Sequence, residues 1–135
     1  MAEKLFKLEI VTPKKVAFSG DVVSFSAPGV VGGFQVLYNH APLLSEIGIG
    51  EVKLRNPDGN EVRFATSGGF VDVLNNHVTL LAETAERADE IDKVRAEAAK
   101  ERASKRLSAQ QYETDFDRAR IALLRALNRL RIASK

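Results

Sequence analysis

The sequence predicts an antiparallel β-sandwich followed by an antiparallel hairpin of two α-helices. All nine glycines and all four prolines lie at or before Gly69, which makes the N-terminal part rich in turns. After Asp89 the chain consists largely of Arg, Ala, Leu, Glu and Lys, which are strong helix formers. We therefore predict two domains, residues 1–86 as the sandwich and residues 87–135 as the helical hairpin.

The N-terminal part shows short runs of alternating apolar residues separated by turn residues, a pattern typical of about eight strands. Asn-Pro-Asp-Gly at 56–59 suits a tight turn, because proline fixes φ and glycine supplies a positive φ. Residues 49–66 are therefore predicted to form a β-hairpin. Asn75-Asn76 is a second predicted turn. Further strands are predicted at residues 6–10, 16–18, 23–27, 70–74 and 78–81.

The C-terminal part predicts helices over residues 89–107 and 110–133, with the turn centred near Ala109 and Asp89 as the first N-cap. Each helix has one apolar face at helical spacing, so the two are expected to pack together. On the first helix this face consists of small residues: Ala96, Ala99, Ala103 and Leu107. On the second helix the predicted apolar stripe comprises Tyr112, Phe116, Ala119, Leu123, Leu127 and Leu130.

Composition excludes several functional classes. The chain has 135 residues, 44% of them hydrophobic, which is enough for one folded domain with an appendage. It has no cysteine, which rules out disulfides, zinc-thiolate sites and thiol catalysis. No apolar run reaches the roughly 20 residues of a membrane span. The start of the chain has no signal-peptide pattern, so we expect a soluble protein that meets a membrane only through a complex.

Charge is divided unequally between the two parts. Residues 87–135 carry 13 Lys and Arg against 8 Asp and Glu, a net charge of +5, whereas residues 1–86 carry 7 against 10, a net charge of −3. On the predicted helices, arginines recur at helical spacing. A turn near Ala109 places Arg125 and Arg129 on either side of the level of Asp92. The arginines are expected to converge near the open end of the hairpin.

Three interpretations of these arginines remain open. They can form a solvated face with local ion pairs, such as Asp92 with Arg95. They can also bind a polyanion, since the guanidinium donates paired hydrogen bonds to phosphate, or they can dock on another protein. Nucleic acid is not expected as a partner. The acids are interspersed among the arginines, and the aromatics of this part, Tyr112 and Phe116, lie on the apolar stripe.

No catalytic machinery is predicted. Neither Gly32-Gly33 nor Gly68-Gly69 has the context of a phosphate-binding loop, and both are expected to serve bulges or close backbone approaches. His40 and His77 have no neighbouring ligands in a metal-binding spacing, so we expect no metal site. We expect a non-catalytic protein without a redox cofactor.

Four segments in order resemble one family. They are Val-Thr-Pro at 11–13, Asn-His-Ala-Pro-Leu-Leu at 39–44, Thr-Ser-Gly-Gly-Phe-Val-Asp-Val at 66–73 and Val-Thr-Leu-Leu-Ala at 78–82. Together they make the chain similar to the bacterial epsilon subunits of the F-type ATP synthase, the counterparts of the mitochondrial delta subunit. The resemblance covers the whole chain and implies the same sandwich and hairpin.

The resemblance implies a non-catalytic subunit of the central stalk in a proton-translocating rotary ATP synthase. The sandwich would bind the gamma subunit and the rotor c-ring, and thereby help to couple rotation to ATP synthesis. The helices would reach the alpha and beta catalytic subunits and inhibit ATP hydrolysis. The protein would be peripheral, on the cytoplasmic face of the inner membrane. A purely structural stalk subunit, or an adaptor with a solvated or protein-docking arginine face, is the alternative.

Some members of this family bind regulatory ATP in a folded-down hairpin through an Ile/Leu-Asp-x-x-Arg-Ala motif, and Ile-Asp-Lys-Val-Arg-Ala at 91–96 matches it. ATP, with or without Mg²⁺, is then the implied ligand and favours the non-inhibitory state. The implied ATP-binding residues are Glu86, Ile91, Asp92, Arg95, Ala96, Arg102, Arg125 and Arg129.

The sequence departs from the family pattern at two places. Where many members have Gly-Glu-Leu-Gly-Ile, this chain has Gly-Gly-Phe-Gln-Val at 32–36, so Gly33 replaces an acid. Asn39 stands in place of a glycine before His40. The loop is still expected to be an interface with the rotor.

Overall fold

Ten strands and two helices follow one another in the computed structural model, which describes residues 4–109 and 116–133. By its internal contacts the chain divides into two compact units, Met1–Arg87 and Ala88–Lys135. All ten strands belong to the first unit and both α-helices to the second. The predicted fold class, a sandwich followed by a helical pair, is confirmed.

The first unit consists of two five-stranded sheets. The first sheet has the order β2-β1-β9-β8-β5 and the second the order β10-β7-β6-β3-β4. The strands are β1 Phe6–Val11, β2 Val16–Val22, β3 Ser24–Ala27, β4 Phe34–Val36, β5 Leu43–Ile47, β6 Gly50–Arg55, β7 Glu61–Thr66, β8 Gly69–Leu74, β9 His77–Ala82 and β10 Ala85–Arg87.

One pair of neighbouring strands is parallel within the otherwise antiparallel sandwich. Strand β1 runs parallel to β9, with Lys7 opposite His77 and Val11 opposite Leu81. The two strands are far apart in sequence, so no tight turn forces them to be antiparallel. The chain between them passes through the second sheet and returns, which supplies the crossover that parallel pairing requires.

The predicted hairpin over residues 49–66 is confirmed. Strands β6 and β7 pair antiparallel from Gly50 opposite Thr66 to Arg55 opposite Glu61. Gly59 has a φ of 89°, and its amide donates to the carbonyl oxygen of Asn56 over 2.9 Å. Gly59 therefore supplies the positive φ that the turn was predicted to need.

The sequence failed to predict three short strands, β4, β5 and β10. Strands β4 and β10 have three residues each and β5 has five, too few for a clear alternation of apolar and polar residues. Each lies at the edge of a sheet. Pairing with an existing neighbour, which the local sequence does not encode, decides that these segments become strands.

The core of the sandwich lies between its two sheets, and every strand contributes at least one buried side chain to it. Leu8, Phe25, Leu54, Phe64 and Leu80 are among the largest fully buried residues. Burial of each such side chain is worth about 1.5–3 kcal/mol. The sandwich therefore has an extensive hydrophobic core of its own.

Gly68-Gly69 confirms the expectation of a close backbone approach. Gly68 has a φ of 127° and Gly69 a φ of 151°. A Cβ atom on Gly69 would overlap the carbonyl oxygen of Leu81 on the neighbouring strand. Only glycine allows β8 and β9 to pair this closely at that point.

The second unit begins with a short 3-10 helix, η1 Ala88–Glu90, and continues with α1 Lys93–Ala109 and α2 Phe116–Ala133. Helix α2 packs against α1 and also contacts η1, which precedes α1. Since α2 returns to the segment before the start of α1, the two helices are antiparallel, as predicted.

Buried alanines recur on both helices, and α2 also buries Asn128 and Ile132. Ala96 and Ala103 of α1 and Ala119 and Ala126 of α2 are buried. We call these four residues the alanine seam. The small-residue face predicted for the first helix is thereby confirmed, with Ala99 and Leu107 half-buried beside it.

The apolar stripe predicted for the second helix is only partly correct. Ala119 is buried, Leu123 and Leu130 are half-buried, but Phe116 and Leu127 are exposed. Small residues on both helices allow the two backbones to approach each other. Ala126 is therefore buried, whereas the larger Leu127, which was predicted to be on the apolar stripe, is exposed. Tyr112 lies outside the described residues.

Candidate functional site

The start of α1 carries the predicted nucleotide motif, and Asp92 is its N-cap. The Oδ1 atom of Asp92 accepts a hydrogen bond from the backbone amide of Arg95 over 3.1 Å, and its carbonyl oxygen accepts from the amide of Ala96 over 3.0 Å. The prediction of Asp89 as N-cap is wrong, because Asp89 lies in η1. The carboxylate of Asp92, three residues before Arg95, is placed to accept from the Arg95 amide, whereas that of Asp89 is six residues away.

The capping bond also decides what Asp92 does to Arg95. The carboxylate is bonded to the backbone of Arg95, and no ion pair between the two side chains occurs in the described part of the chain. Asp92 therefore fixes the position of the Arg95 main chain at the first turn of α1. The guanidinium is left to point outward.

Ile91 and Ala96, the apolar members of the motif, are buried, with 8% and 0% of their surface exposed. Ala96 belongs to the alanine seam and has no surface to offer a ligand in this arrangement. Its position explains the motif in terms of packing: any larger residue here would push α2 away from α1. The motif thus combines a cap, a packing residue and an outward arginine.

Arg95 and Arg102 are the exposed cations of α1 in the predicted site. Within residues 4–109 and 116–133 neither guanidinium has a carboxylate within ion-pair distance. This observation does not support the interpretation of these two arginines as members of local ion pairs. Arg120 of α2 behaves differently, since it lies 3.7 Å from the carboxylate of Asp117.

The arginines of α2 have other surroundings. Arg118 and Arg125 are exposed and Arg129 is half-buried. All three take part in interactions within the protein. Any anion that binds them must therefore compete with, or add to, the contacts they already have.

Helical geometry places these arginines on one side of the hairpin. Arg95 and Arg102 each immediately precede a seam alanine of α1, and Arg118 and Arg125 each immediately precede a seam alanine of α2. In an antiparallel pair, equivalent positions next to the seam lie on the same flank of both helices. Arg129, three residues after Ala126, points to that side as well. We call Arg95, Arg102, Arg118, Arg125 and Arg129 the arginine flank.

The helix bounds also correct the predicted alignment. The turn is not centred at Ala109, since that residue still belongs to α1 and α2 begins at Phe116. With these two helix ends level, Arg129 stands beside Ala96 rather than near Asp92, and Arg125 stands beside Lys100. Arg95 and Arg129 are then level to within about one residue, and Arg102 and Arg125 to within about two, at about 1.5 Å per residue.

Glu86 lies in the first unit, whereas the other predicted ATP-binding residues lie in the second. It is half-buried in β10, opposite Ala65 of β7, and it takes part in an interaction within the protein. The structure therefore assigns Glu86 to the edge of the second sheet.

The outer faces of the two sheets differ in character. The face of the first sheet carries exposed apolar side chains, of which Phe70 and Leu81 stand opposite each other on β8 and β9. The face of the second sheet carries charges, including the 3.0 Å ion pair of Arg63 with Glu51 and a longer pair of Arg55 with Glu61. The face of the first sheet is mixed, since Asp72 stands opposite Leu44 and Glu46 opposite Phe70, and its exposed apolar side chains suit a protein partner. The exposed apolar residues on and beside the first sheet are Val16, Leu44, Phe70, Leu74 and Leu81.

Two loops add further exposed apolar residues. Val30 and Val31 lie between β3 and β4, with Val31 96% exposed, and Leu37 and Tyr38 lie between β4 and β5. The sequence did not single out these four residues. The sequence pattern could have indicated them, because these apolar residues lie outside the alternating runs of the strands and so are not expected in the core.

The described residues contain no helix that is long and apolar enough to cross a membrane. Nor do residues 4–109 and 116–133 contain a group of three or more His, Cys, Asp or Glu side chains that could hold a metal ion. The arginine flank and the exposed apolar surfaces are candidate binding features because of their charge and their exposure.

Comparison with known proteins gives these features a context. Residues 5–88 match the β-sandwich domain of the ATP synthase delta/epsilon chain, and residues 89–134 match its long α-helix domain. The chain is 44% identical to the ATP synthase epsilon chain of Syntrophomonas wolfei, over 100% of this chain and 98% of the relative. It is 48% identical to that of Syntrophobacter fumaroxidans, over 100% and 99% of the two chains.

Solved structures show the same fold. A chain of the mitochondrial ATP synthase of Euglena gracilis, in an OSCP/F1/c-ring structure, superposes with a TM-score of 0.84 at 19% identity, over 98% of this chain and 82% of that chain. At this identity the likeness concerns the fold alone. The two matched domains and the relatives that align along the full length agree: the chain belongs to the ATP synthase delta/epsilon chain family.

Proposed function

We propose that this chain is a central-stalk subunit of a rotary, proton-translocating ATP synthase, and that its helical hairpin senses ATP and inhibits ATP hydrolysis. Its family and its relatives, which are named ATP synthase epsilon chain, support the first part. Such a subunit is non-catalytic and contributes to the activity of the complex. It would be peripheral, on the cytoplasmic face of the inner membrane.

The sandwich is the docking unit in this proposal. Its apolar outer face and loops would bind the gamma subunit and the rotor c-ring. An apolar surface of this kind is unfavourable in water and is stabilised by burial at about 25 cal/mol per Å². The charged face of the second sheet would remain in solvent.

The observation that carries the ATP proposal is the arginine flank. Arg95 and Arg102 come from α1, and Arg125 and Arg129 from α2, yet helical geometry brings them to one side. Like charges on one flank repel one another, and a triphosphate placed there would replace repulsion by charge-assisted hydrogen bonds. Arg95 and Arg102 offer guanidiniums that no described carboxylate occupies.

A site made from two helices is coupled to their packing. The flank exists only while α1 and α2 are antiparallel and in contact, so ATP would bind the closed hairpin and not an opened one. By differential affinity it would raise the closed population, which is the non-inhibitory state in this proposal. At low ATP the hairpin would open and its arginines would meet the alpha and beta catalytic subunits.

Calorimetric titration of ATP into the full chain tests the site. We expect saturable binding, weakened at least about tenfold in Arg95→Ala and in Arg102→Ala, because each removes a charge-assisted hydrogen bond worth about 1.5–3 kcal/mol. Arg120→Ala is the matched control, since Arg120 lies on the opposite flank of the same hairpin. Absence of saturable binding, or equal affinity in Arg95→Ala and wild type, would refute ATP sensing.

A second candidate for the hairpin is a protein-docking function without ATP. Ile121, Leu124 and Leu127 of α2 are exposed, and an apolar helix face of this kind favours contact with another protein. Removal of residues 88–135 in the reconstituted complex distinguishes a regulatory hairpin from a purely structural subunit. A regulatory hairpin predicts faster ATP hydrolysis after truncation, whereas a structural subunit predicts no change.

A further inference from the structure

Three asparagines at one end of the sandwich have positive backbone φ angles, which residues other than glycine rarely adopt. Asn39 has a φ of 61°, Asn75 of 50° and Asn76 of 59°, and in the described chain these are the non-glycine residues with positive φ. Asparagine tolerates the left-handed region better than most residues. The positive φ explains why asparagine occurs at all three positions. In addition, the side chains of Asn39 and Asn76 form hydrogen bonds with each other's residue.

Asn39 and Asn76 are joined by two reciprocal hydrogen bonds, which we call the asparagine clasp. The backbone amide of Asn39 donates to Oδ1 of Asn76 over 2.6 Å, and Nδ2 of Asn76 donates to Oδ1 of Asn39 over 2.9 Å. The residues are 37 positions apart in sequence. The clasp is thus a tertiary connection and not a local turn bond.

The clasp connects an exposed crossover to the centre of a sheet. Residues 37–42 lead from β4 in the second sheet to β5 in the first. The carbonyl oxygen of Asn76 accepts from the amide of Lys7 in β1 over 2.9 Å, which fixes the β8–β9 turn. Other hydrogen bonds described for residues 37–42 are internal, such as His40 to Leu37 over 3.2 Å. Since these residues are largely exposed, the clasp is what attaches them.

Apolar side chains lie within two residues of the clasp on both of its sides. Leu37 and Tyr38 precede Asn39, and Leu74 precedes the turn that contains Asn76, and all three are exposed. Polar residues lie next to them: Nε2 of His77 lies 3.5 Å from Oε1 of Glu9, and Lys7 stands opposite His77 in the sheet. An apolar centre with a polar margin is the composition of a protein–protein interface.

We propose that the asparagine clasp positions residues 37–42 for docking onto the gamma subunit. The proposal rests on the proposed function, which places the sandwich against gamma. The clasp holds the crossover, with its exposed Leu37 and Tyr38, to the β8–β9 turn that follows the exposed Leu74. Prior attachment removes the cost of ordering the crossover during association. Loss of the clasp therefore accelerates dissociation more than it slows association.

Substitutions by glycine test the clasp, because glycine keeps the positive φ and removes only the side chain. Asn39→Gly and Asn76→Gly are the disrupting variants, and Asn75→Gly is the matched control at the neighbouring left-handed position. Asn39→Asp is a conservative rescue, since an Asp oxygen still accepts from Nδ2 of Asn76 and the Asn39 backbone amide is retained.

The binding of each full-length variant to immobilised gamma subunit is measured together with amide hydrogen exchange and the thermal midpoint. We expect about fivefold weaker binding for Asn39→Gly, which loses one modest hydrogen bond of the clasp, and a larger loss for Asn76→Gly, which loses both. Exchange at His40 should accelerate in both, with little change in the thermal midpoint. Asn75→Gly and Asn39→Asp should bind as wild type does.

The outcomes separate the two proposals. If wild type binds gamma and the disrupting variants bind equally well, the clasp has no positioning function and the proposed stalk function stands. If wild type does not bind gamma, both are overturned. If Asn75→Gly weakens binding as much as Asn76→Gly, the effect comes from the turn in general and the clasp proposal is wrong.

Discussion

The sandwich and the helical hairpin are stabilised by different kinds of contact. The sandwich buries a core made mostly of large aliphatic and aromatic side chains, whereas the hairpin unit buries four alanines together with Ile91, Asn128 and Ile132. Each buried methylene contributes about 0.8 kcal/mol, so each buried alanine contributes less than a buried Phe, Leu or Val of the sandwich core. The comparison teaches that the sandwich has the larger hydrophobic core and that the hairpin unit depends on fewer large buried side chains.

The largest effect is expected from a truncation in the sandwich core. Phe64 is 1% exposed on β7, and Phe64→Ala should lower the free energy of unfolding by about 3–5 kcal/mol through lost burial and a cavity. Phe70→Ala is the matched control, since Phe70 is 52% exposed on β8. Urea denaturation followed by circular dichroism gives both values. Equal losses would mean that the outward face contributes as much as the core.

An intermediate effect is expected from a larger residue in the alanine seam. Ala103→Leu should destabilise the hairpin by about 1–3 kcal/mol, because the backbones are too close to admit three more carbon atoms. Hydrogen exchange of the α1 and α2 amides should accelerate, with the strands of the sandwich unchanged. Ala98→Leu, on the exposed side of the same helix, should leave exchange as in wild type. Loss of protection in the strands as well would show that the two units unfold together.

The smallest effect is expected from the helix cap. Asp92→Ala should cost about 1 kcal/mol, since it leaves the Arg95 amide without its acceptor. The Arg95 amide should then exchange faster, by about fivefold for this free energy. Asp89→Ala serves as the comparison. If Asp89→Ala has the larger effect, the helix starts where the sequence alone predicted and not where the structure places it.

The confirmed predictions rest on features that are local in sequence. The 49–66 hairpin was predictable because Pro57 and Gly59 fix the turn, and alternation then fixes the faces. The alanine face of α1 was predictable from helical spacing. The same spacing indicated outward arginines, and the helix bounds changed their alignment, but the ATP site itself stays a prediction.

The missed features depend on contacts between distant segments. Nothing in Ala85–Arg87 by itself indicates a strand, which forms because β7 offers a free edge. The N-cap moved from Asp89 to Asp92 because residues 88–90 form a 3-10 helix first. The asparagine clasp joins residues 37 positions apart and was invisible to any local pattern.

By itself, the sequence determined the order of a β unit and an α unit, the turn at 56–59, the small-residue helix face and the spacing of the arginines. These follow from backbone propensity and periodicity, which act over a few residues. Only the tertiary structure decided the parallel pairing of β1 with β9, the edge strands, the cap at Asp92, the apolar face of the first sheet and the clasp at Asn39. Those features depend on tertiary contacts between distant segments. The free energy of such a contact depends on both partners, so no single segment predicts it.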